Sequence, residues 1–363
     1  MVTPQFSDEP ESKLFYGTVI AVQANFYQVL LDSVQESLLC TRPTRLKKIG
    51  QSVLVGDRVI VKSRELDRGA IAEVLPRKTI LERPPIANAQ QILLVFALEE
   101  PTLDPVQLSR FLVKAESTNL KLLLGLNKAD LITFSEKEIW QTRLKNWGYE
   151  GYFFSVNTGE GITELKNILR DKITILAGPS GVGKSSLASL LIPELDFRIG
   201  AVSGKLQKGR HTTRHVALFE LPQGGFIADS PGFNQPTFDF PSESLIQFFP
   251  EARARLTENT CKFHNCIHKD EPDCAVKGEW ERYQYYLKFL EEAIAYSEKI
   301  AHKREEESTL KTKVKTLGKK IDEPKLEAKK YRRISRKVSN QKLEDLYTSQ
   351  SLNSLDDELD FDG

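Results

Sequence analysis

From Leu14 to about Arg77, apolar and polar positions alternate in short runs: Gly17-Thr-Val-Ile-Ala-Val22, Phe26-Tyr-Gln-Val-Leu-Leu31, Arg58-Val-Ile-Val61 and Ala70-Ile-Ala-Glu-Val-Leu75. A two-residue period punctuated by Gly, Asp and Asn predicts short strands with one buried face, and together they predict a small all-β barrel. The texture changes at Ile92. From there to Asp229, near-continuous apolar runs alternate with helical stretches, the pattern of a mainly parallel sheet with flanking helices. The strands expected are Ile92–Ala97, Leu120–Leu124, Gly151–Phe154, Ile173–Ala177 and Phe226–Ala228. After Pro236 this alternation stops, and Trp280, Tyr283, Leu287, Leu290 and Ile294 recur at three- and four-residue steps, so a long amphipathic helix begins there. Beyond His302 the chain is rich in Lys and Arg, and from Asp356 it turns acidic, which predicts exposed helix giving way to a disordered tail. The expected division is a flexible N-terminus (1–13), the barrel (14–78), the α/β domain (79–238), a helical domain (239–302) and a charged, partly disordered extension (303–363).

Composition narrows the class. Hydrophobic residues make up 40% of 363, enough for a sizeable core, which excludes wholesale disorder. Lys and Arg total 51 against 50 Asp and Glu, so the net charge of +1 identifies no polyanionic partner and only local charge is informative. The longest apolar run, Ile92 to Leu98, is far below the roughly 20 residues of a membrane span, so a cytoplasmic, membrane-free protein is expected. Four Cys are too few for a disulfide scaffold, and three of them lie between Cys261 and Cys274 beside two of the five His, which points to metal in a reducing compartment.

The strongest motif is Gly178-Pro179-Ser180-Gly181-Val182-Gly183-Lys184-Ser185-Ser186, a G-x-x-x-x-G-K-[ST] loop between an expected strand and an expected helix. Its chemistry needs backbone N–H groups turned toward phosphate oxygens, with helix polarity favouring the anion. Lys184 reaches the terminal phosphates and Ser185 supplies a Mg²⁺ ligand. A chance Gly-rich turn is the competing reading, and the flanking strand and helix argue against it. Asn127-Lys128-Ala129-Asp130 follows another strand-like run; a carboxylate at Asp130 can accept from N1–H and the exocyclic amine of guanine, which adenine does not present together. Four residues alone are weak, but Ser155-Val156 sits at the end of its own strand as a base-capping loop should. Asp229-Ser-Pro-Gly232 reads as D-x-P-G, with Asp229 on Mg²⁺ through water and the Gly232 N–H sensing the γ-phosphate. Thr213, in Gly209-Arg-His-Thr-Thr213, falls where a switch threonine on Mg²⁺ belongs. The base motifs precede the phosphate loop, an order that a circular permutation explains because termini can relocate to surface loops.

With these motifs in this order, the chain resembles the circularly permuted GTPases of small ribosomal subunit biogenesis, the RsgA/YjeQ family, over about residues 14–300. The resemblance implies an OB-fold barrel, a circularly permuted P-loop GTPase domain, a C-terminal zinc-binding helical domain, and GTP hydrolysis stimulated by the small subunit during its late maturation. It also implies association with that subunit's rRNA. Phe233 follows D-S-P-G where many GTPases carry a water-orienting Gln, and the family's proposed catalytic His matches His211. Packing, or contact with RNA, is the alternative role of His211. Cys261-x4-Cys266-x-His268-x5-Cys274 offers three thiolates and an imidazole, a set suited to one structural Zn²⁺, with His264 the rival to His268.

Arg42, Arg45, Lys47, Lys48, Arg58, Lys62, Arg64 and Arg68 make the barrel locally basic beside Phe15, Tyr16, Phe26 and Tyr27, which fits either an RNA-tracking surface or a solvated charged face. Lys311 to Lys337 is a second basic stretch with the same two readings. A monomer is expected. The leading reading is a GTPase that binds GTP, GDP and the small subunit in a dock-and-release cycle. Its rival is a non-hydrolysing RNA-binding module with a structural nucleotide; a metabolic kinase gives no reason for N-K-A-D or D-S-P-G.

Overall fold

A computed structural model describes residues 13–23, 26–34, 36–42, 52–63, 68–82, 84–193, 216–229, 236–307, 310–314 and 320–324. The chain divides into two units, Met1–Ser297 and Glu298–Gly363. In the first unit β1 (Lys13–Gln23), β2 (Phe26–Leu31), β3 (Ser37–Thr41), β4 (Arg58–Ser63) and β5 (Arg68–Val74) close a five-stranded barrel. The order is β1-β2-β3-β5-β4 with β4 pairing back to β1; only the β3–β5 pair is parallel. This is the connectivity of an OB fold. Val19, Val29, Leu38, Cys40, Val59, Val61 and Ile71 fill its interior, and burial pushes the Cys40 thiol up to about 12, so this Cys is an inert core residue.

A bulge between Val19 and Ala21 shifts the phase of β1. Neighbouring strand residues face opposite sides, so Val19 points into the barrel while Ile20 joins the core of the α/β domain. The hairpin β6 (Ile80–Glu82) and β7 (Pro85–Ala87) follows the barrel, Ile86 pairing with Val55.

The α/β domain runs β8 (Gln91–Ala97), α1 (Pro105–Glu116), β9 (Lys121–Asn127), α2 (Phe134–Asn146), β10 (Gly151–Phe153), α3 (Ile162–Leu169), β11 (Ile173–Ala177), α4 (Lys184–Leu191), β12 (Ala217–Glu220) and β13 (Phe226–Asp229). The sheet order is β10-β9-β8-β11-β13-β12, parallel except for β12. Every residue of β8 is buried because helices cover both faces. Ile92, Leu94 and Phe96 pack toward Leu108, Phe111, Leu112 and Leu144 of α1 and α2; Leu93, Val95 and Ala97 pack toward Leu165, Leu169, Leu187 and Leu191 of α3 and α4. Helix starts are set locally: the Asp104 side chain accepts from Val106 N ahead of α1, and Thr133 with Glu136 forms a capping box at α2. The antiparallel strand β12, absent from the sequence reading, pairs Ala217 with Ala21 of β1 and so joins barrel and domain into one eleven-stranded sheet.

After Pro236 come a 3-10 helix (Ser242–Phe248), α5 (Pro250–Glu258), the Cys/His loop and α6 (Tyr283–Glu307). Phe238, Phe240, Phe249, Trp280, Tyr286 and Phe289 form an aromatic core that also takes Val113 of α1. Arg282 is 0% exposed; its guanidinium forks onto Glu251 and lies 4.9, 5.3 and 4.9 Å from the rings of Trp147, Tyr149 and Phe249. Arg110 pairs with Glu292 between the rings of Phe238 and Phe289, and Lys114 pairs with Asp239. These contacts bolt the C-terminal helices to α1 and to the end of α2.

The exposed helix expected beyond His302 is corrected in part. Helix α6 ends at Glu307, and β14 (Leu310–Val314) and β15 (Lys320–Pro324) pair antiparallel in the second unit. Leu310, Thr312 and Val314 alternate with Lys311 and Lys313, a strand period concealed in the sequence by high charge. Residues 325–363 lie outside the described residues.

Candidate functional site

The phosphate loop leaves β11 at Ala177, and α4 starts at Lys184 with Gly183 (φ +94) as its N-cap. Two glycines are sterically required. A Cβ at Gly178 (φ +139) would sit 2.1 Å from the Val95 carbonyl oxygen, and one at Gly183 would sit 2.3 Å from Asn127 Nδ2. Val182 and Pro179 are buried and anchor the loop, whereas Ser180, Gly181, Ser185 and Ser186 are exposed along it. Lys184 Nζ donates to the carbonyls of Gly178 at 2.9 Å and Pro179 at 2.5 Å, so the ammonium lies within the loop's own curve.

Asn127 ends β9 and is 2% exposed. Its Nδ2 donates to the Val182 carbonyl at 2.8 Å, and its Oδ1 accepts from the Val156 N–H at 3.2 Å. One carboxamide thus ties the N-K-A-D strand end to both the phosphate loop and the Ser155-Val156 loop. Ala129 N donates to the Phe154 carbonyl at 3.1 Å, and buried Ser155 accepts from Thr158 N at 3.1 Å, which fixes the turn. Asp130 is exposed in a 3-10 turn (Ala129–Leu131). Its carboxyl is held below the ordinary carboxylate range, chiefly by hydrogen bonding with the Ser155 side chain, with further help from Asn157 and the Lys128 charge. Lys128, in left-handed conformation (φ +61), donates through Nζ to the Glu100 carbonyl. The sequence reading missed this Glu100–Pro101 loop, which also passes 3.9 Å from where a Cβ of Gly181 would lie; its only signal is a proline after the β8 run.

Asp229 is the last residue of β13 and stands in register with Leu176, beside the strand that feeds the phosphate loop. His211, Thr213 and Gly232 lie outside the described residues, as does Phe233.

Downstream, one donor atom each from Cys261, Cys266, His268 and Cys274 gathers within 4.8 Å. His268 Nδ1 is 3.5, 3.6 and 3.3 Å from the sulfurs of Cys261, Cys266 and Cys274. A tetrahedral ion with bonds of about 2.3 Å has ligand–ligand edges near 3.7 Å, so these spacings fit such an ion. His264 is not in the cluster, which decides between the two histidines. Burial lowers the His268 pKa and keeps the imidazole neutral, its ligating form. Burial likewise pushes the Cys266 thiol up to about 12, and a dication is the charge that reverses this and draws out the thiolate. The four residues could therefore hold a metal ion with no open coordination position.

Comparison with known proteins places this geometry. The family model for RsgA GTPase matches residues 74–239. A small ribosomal subunit biogenesis GTPase RsgA from Trichormus variabilis is 55% identical over 356 residues, covering 91% of this chain and 96% of its own. The chain belongs to the RsgA GTPase family. An RsgA from Synechocystis is 51% identical over 361 residues, covering 94% of this chain and 98% of its own. Among solved structures, YjeQ from Thermotoga maritima superposes with a TM-score of 0.65 at 30% identity, covering 78% of this chain and 99% of that one. YloQ, titled a circularly permuted GTPase, gives 0.63 at 30% identity, covering 80% and 98%.

As an RsgA GTPase the chain carries the permuted order that its sequence indicated, and the fold shows how that order is tolerated: β10 and β9 are neighbours, only β8 separates β9 from β11, and all four run parallel, so their C-terminal ends share one edge of the sheet although the base motifs come first in the chain. The barrel surface is only partly as expected. Tyr16 and Phe26 are 56% and 47% exposed, but Tyr27 points into the core, and Arg58 is bound bidentately by Asp32. Leu14, Tyr16 and Lys62 share the outer face where β1 pairs with β4. Arg45, Lys47, Lys48 and Arg64 lie outside the described residues. No helix among the described residues is long and apolar enough to cross a membrane.

Proposed function

We propose that this protein binds GTP in the pocket formed by residues 127–130, 155–156 and 178–186, hydrolyses it to GDP and phosphate, and uses the cycle to dock on and leave the small ribosomal subunit late in its maturation. The observation that carries this reading is the pair of hydrogen bonds made by the Asn127 carboxamide, which ties the N-K-A-D strand end to the phosphate loop and to the Ser155-Val156 loop despite their scrambled order. In this reading Asp130 accepts from the guanine edge, Lys128 packs along the base, and Ser155 with Val156 caps it. Backbone N–H groups of Gly178 to Ser186 bind the phosphates with Lys184, while Ser185 and Thr213 ligate Mg²⁺ and Asp229 reaches it through water. Gly232 senses the γ-phosphate, and His211, which matches the family's proposed catalytic His, positions the attacking water, a role that the side chain of Phe233 cannot fill.

The remaining assignments follow from that one. The barrel, 14–78, binds rRNA through the face bearing Tyr16 and Lys62; the permuted GTPase domain is 79–238; the domain over 239–302 holds Zn²⁺ on Cys261, Cys266, His268 and Cys274. The protein works as a cytoplasmic monomer. Multiple-turnover phosphate release tests the proposal: turnover is slow for the protein alone and rises with added small subunits by up to roughly the 10³–10⁵ that positioning in trans can supply. No phosphate release with or without subunits overturns it in favour of a non-hydrolysing RNA-binding module with a structural nucleotide, and equal measurable rates overturn the coupling of hydrolysis to the subunit. His211→Ala keeps GTP affinity and loses the stimulated rate.

A further inference from the structure

The metal loop is held from outside as well as by its ligands. His268 has a backbone φ of +57, an uncommon left-handed conformation for a non-glycine residue, so contacts that hold it there matter. Three groups make such contacts. Tyr283, at the start of α6, donates its hydroxyl to the carbonyls of His268 at 3.0 Å and Lys269 at 3.1 Å. Tyr286, one turn on and buried in the aromatic core, donates to the Ile267 carbonyl at 2.5 Å. The Glu271 carboxylate accepts from the N–H groups of Ile267 at 2.8 Å and Lys269 at 2.9 Å, one oxygen to each. The residues before and after His268 are therefore pinned through both their N–H and C=O groups, and His268 itself through its carbonyl.

We infer that Tyr283, Tyr286 and Glu271 are positioning residues for the metal: they fix the backbone of His268 so that its Nδ1 is already aimed at the three sulfurs, and they make metal affinity depend on the register of α6. The inference rests on the metal reading above. Its physical basis is preorganisation. An imidazole whose backbone is already in the binding conformation loses little freedom when the ion arrives, and partners outside the ligand set are typically worth 10- to 100-fold in metal affinity. Helix α6 also carries Phe289 and Leu290 into the aromatic core, so the metal loop and that core are linked by two phenol hydroxyls.

The test uses the full-length protein and Co²⁺, whose visible d–d bands report coordination geometry, in competition with a chromophoric chelator. Tyr283→Phe and Tyr286→Phe remove only the hydroxyls and keep the rings; Glu271→Gln removes one of two backbone acceptors. Each is expected to weaken Co²⁺ by about 10-fold or more and to alter the d–d bands, the double tyrosine variant most, with far-UV circular dichroism unchanged. Tyr285→Phe, on the same helix but with no hydrogen bond from its hydroxyl to the loop, is expected to bind as the parent does. Parental affinity and parental bands in the double tyrosine variant overturn the inference while leaving the ligand set intact. A parent protein that takes up no Co²⁺, tetrahedral bands being absent, overturns the metal reading and the inference with it.

Discussion

Asn127→Ala is the most discriminating perturbation of the nucleotide pocket. It removes the partner of the buried Val182 carbonyl and the partner of the Val156 N–H, and leaves a small cavity at a position only 2% exposed. A buried polar group without its partner costs about 1–3 kcal/mol. Val156 is half-buried and its N–H recovers part of its bonding from water, so a total near 2–4 kcal/mol is expected. Because the lost bonds tie loops to each other and not to a γ-phosphate, affinities for GTP and GDP should fall together, with their ratio unchanged. Urea denaturation of the nucleotide-free protein gives the stability change, and fluorescent GTP and GDP analogues give the affinities. If stability is parental while both affinities collapse, Asn127 acts through the base alone and the argument from loop tethering is wrong.

Asp130→Asn replaces two charge-assisted acceptances, worth about 1.5–3 kcal/mol each, and should lower GTP affinity by roughly 10²–10⁴ while allowing xanthosine triphosphate, whose O2 accepts from an amide, to bind; calorimetry that finds GTP affinity intact removes Asp130 from the base site. Since the Asp130 carboxyl sits below its ordinary range, its ionised, binding-competent form persists from neutral pH to below the usual carboxylate pKa, so the preference for GTP over ATP, in which the titration of the shared triphosphate cancels, should hold from neutral pH to about 5 and fall only as pH drops through the lowered pKa. Arg282→Met removes the charge partner of Glu251, whose side chain is only 10% exposed, and should cost about 3–5 kcal/mol in chemical denaturation, far more than any exposed ion pair. Tyr16→Ala should weaken small-subunit binding without changing GTP affinity, read by co-sedimentation at fixed salt; retained binding would leave the exposed barrel face as solvated surface.

What could be read from the sequence was what is governed by neighbours along the chain. Seven consecutive buried residues in β8, the glycines of the phosphate loop and the clustered thiols all carry their signal locally. Strand β3 went unseen because exposed Leu39 sits between buried Leu38 and Cys40 and erases the alternation. Strand β12 is four residues long and is specified by its partners β13 and β1, which are distant in sequence or on the far side of a turn. Side-chain partnerships were also hidden. Nothing near Arg58 announces that Asp32 occupies it, and the spacing of N-K-A-D does not reveal that Asn127 spends both of its polar atoms on other loops. Tyr283 was legible as part of a helix face and Tyr286 was not, and the hydroxyls of neither were legible as braces of the metal loop.

The permuted order has a mechanical consequence that can be tested. Strand β12 is joined through Ala217 to Ala21 of the barrel strand β1, and Phe238 and Phe240, soon after β13, are buried in the aromatic core that also holds α6. The β12–β13 hairpin is thus flanked by two neighbours: β12 pairs with the barrel, and the chain that follows β13 is buried at Phe238 and Phe240 in the aromatic core. A nucleotide-dependent change at D-x-P-G is expected to load Phe238 and its neighbours, because close-packed cores transmit displacement and do not absorb it. Amide exchange around Cys261–Cys274 and in the first turns of α6 should then differ between the GDP-bound and GTP-analogue-bound protein, and exchange in β1 near Ala21 should differ as well. Identical exchange in the two states at all three places would mean that the switches move without pulling on their neighbours, and subunit release would need a signal from the nucleotide pocket itself.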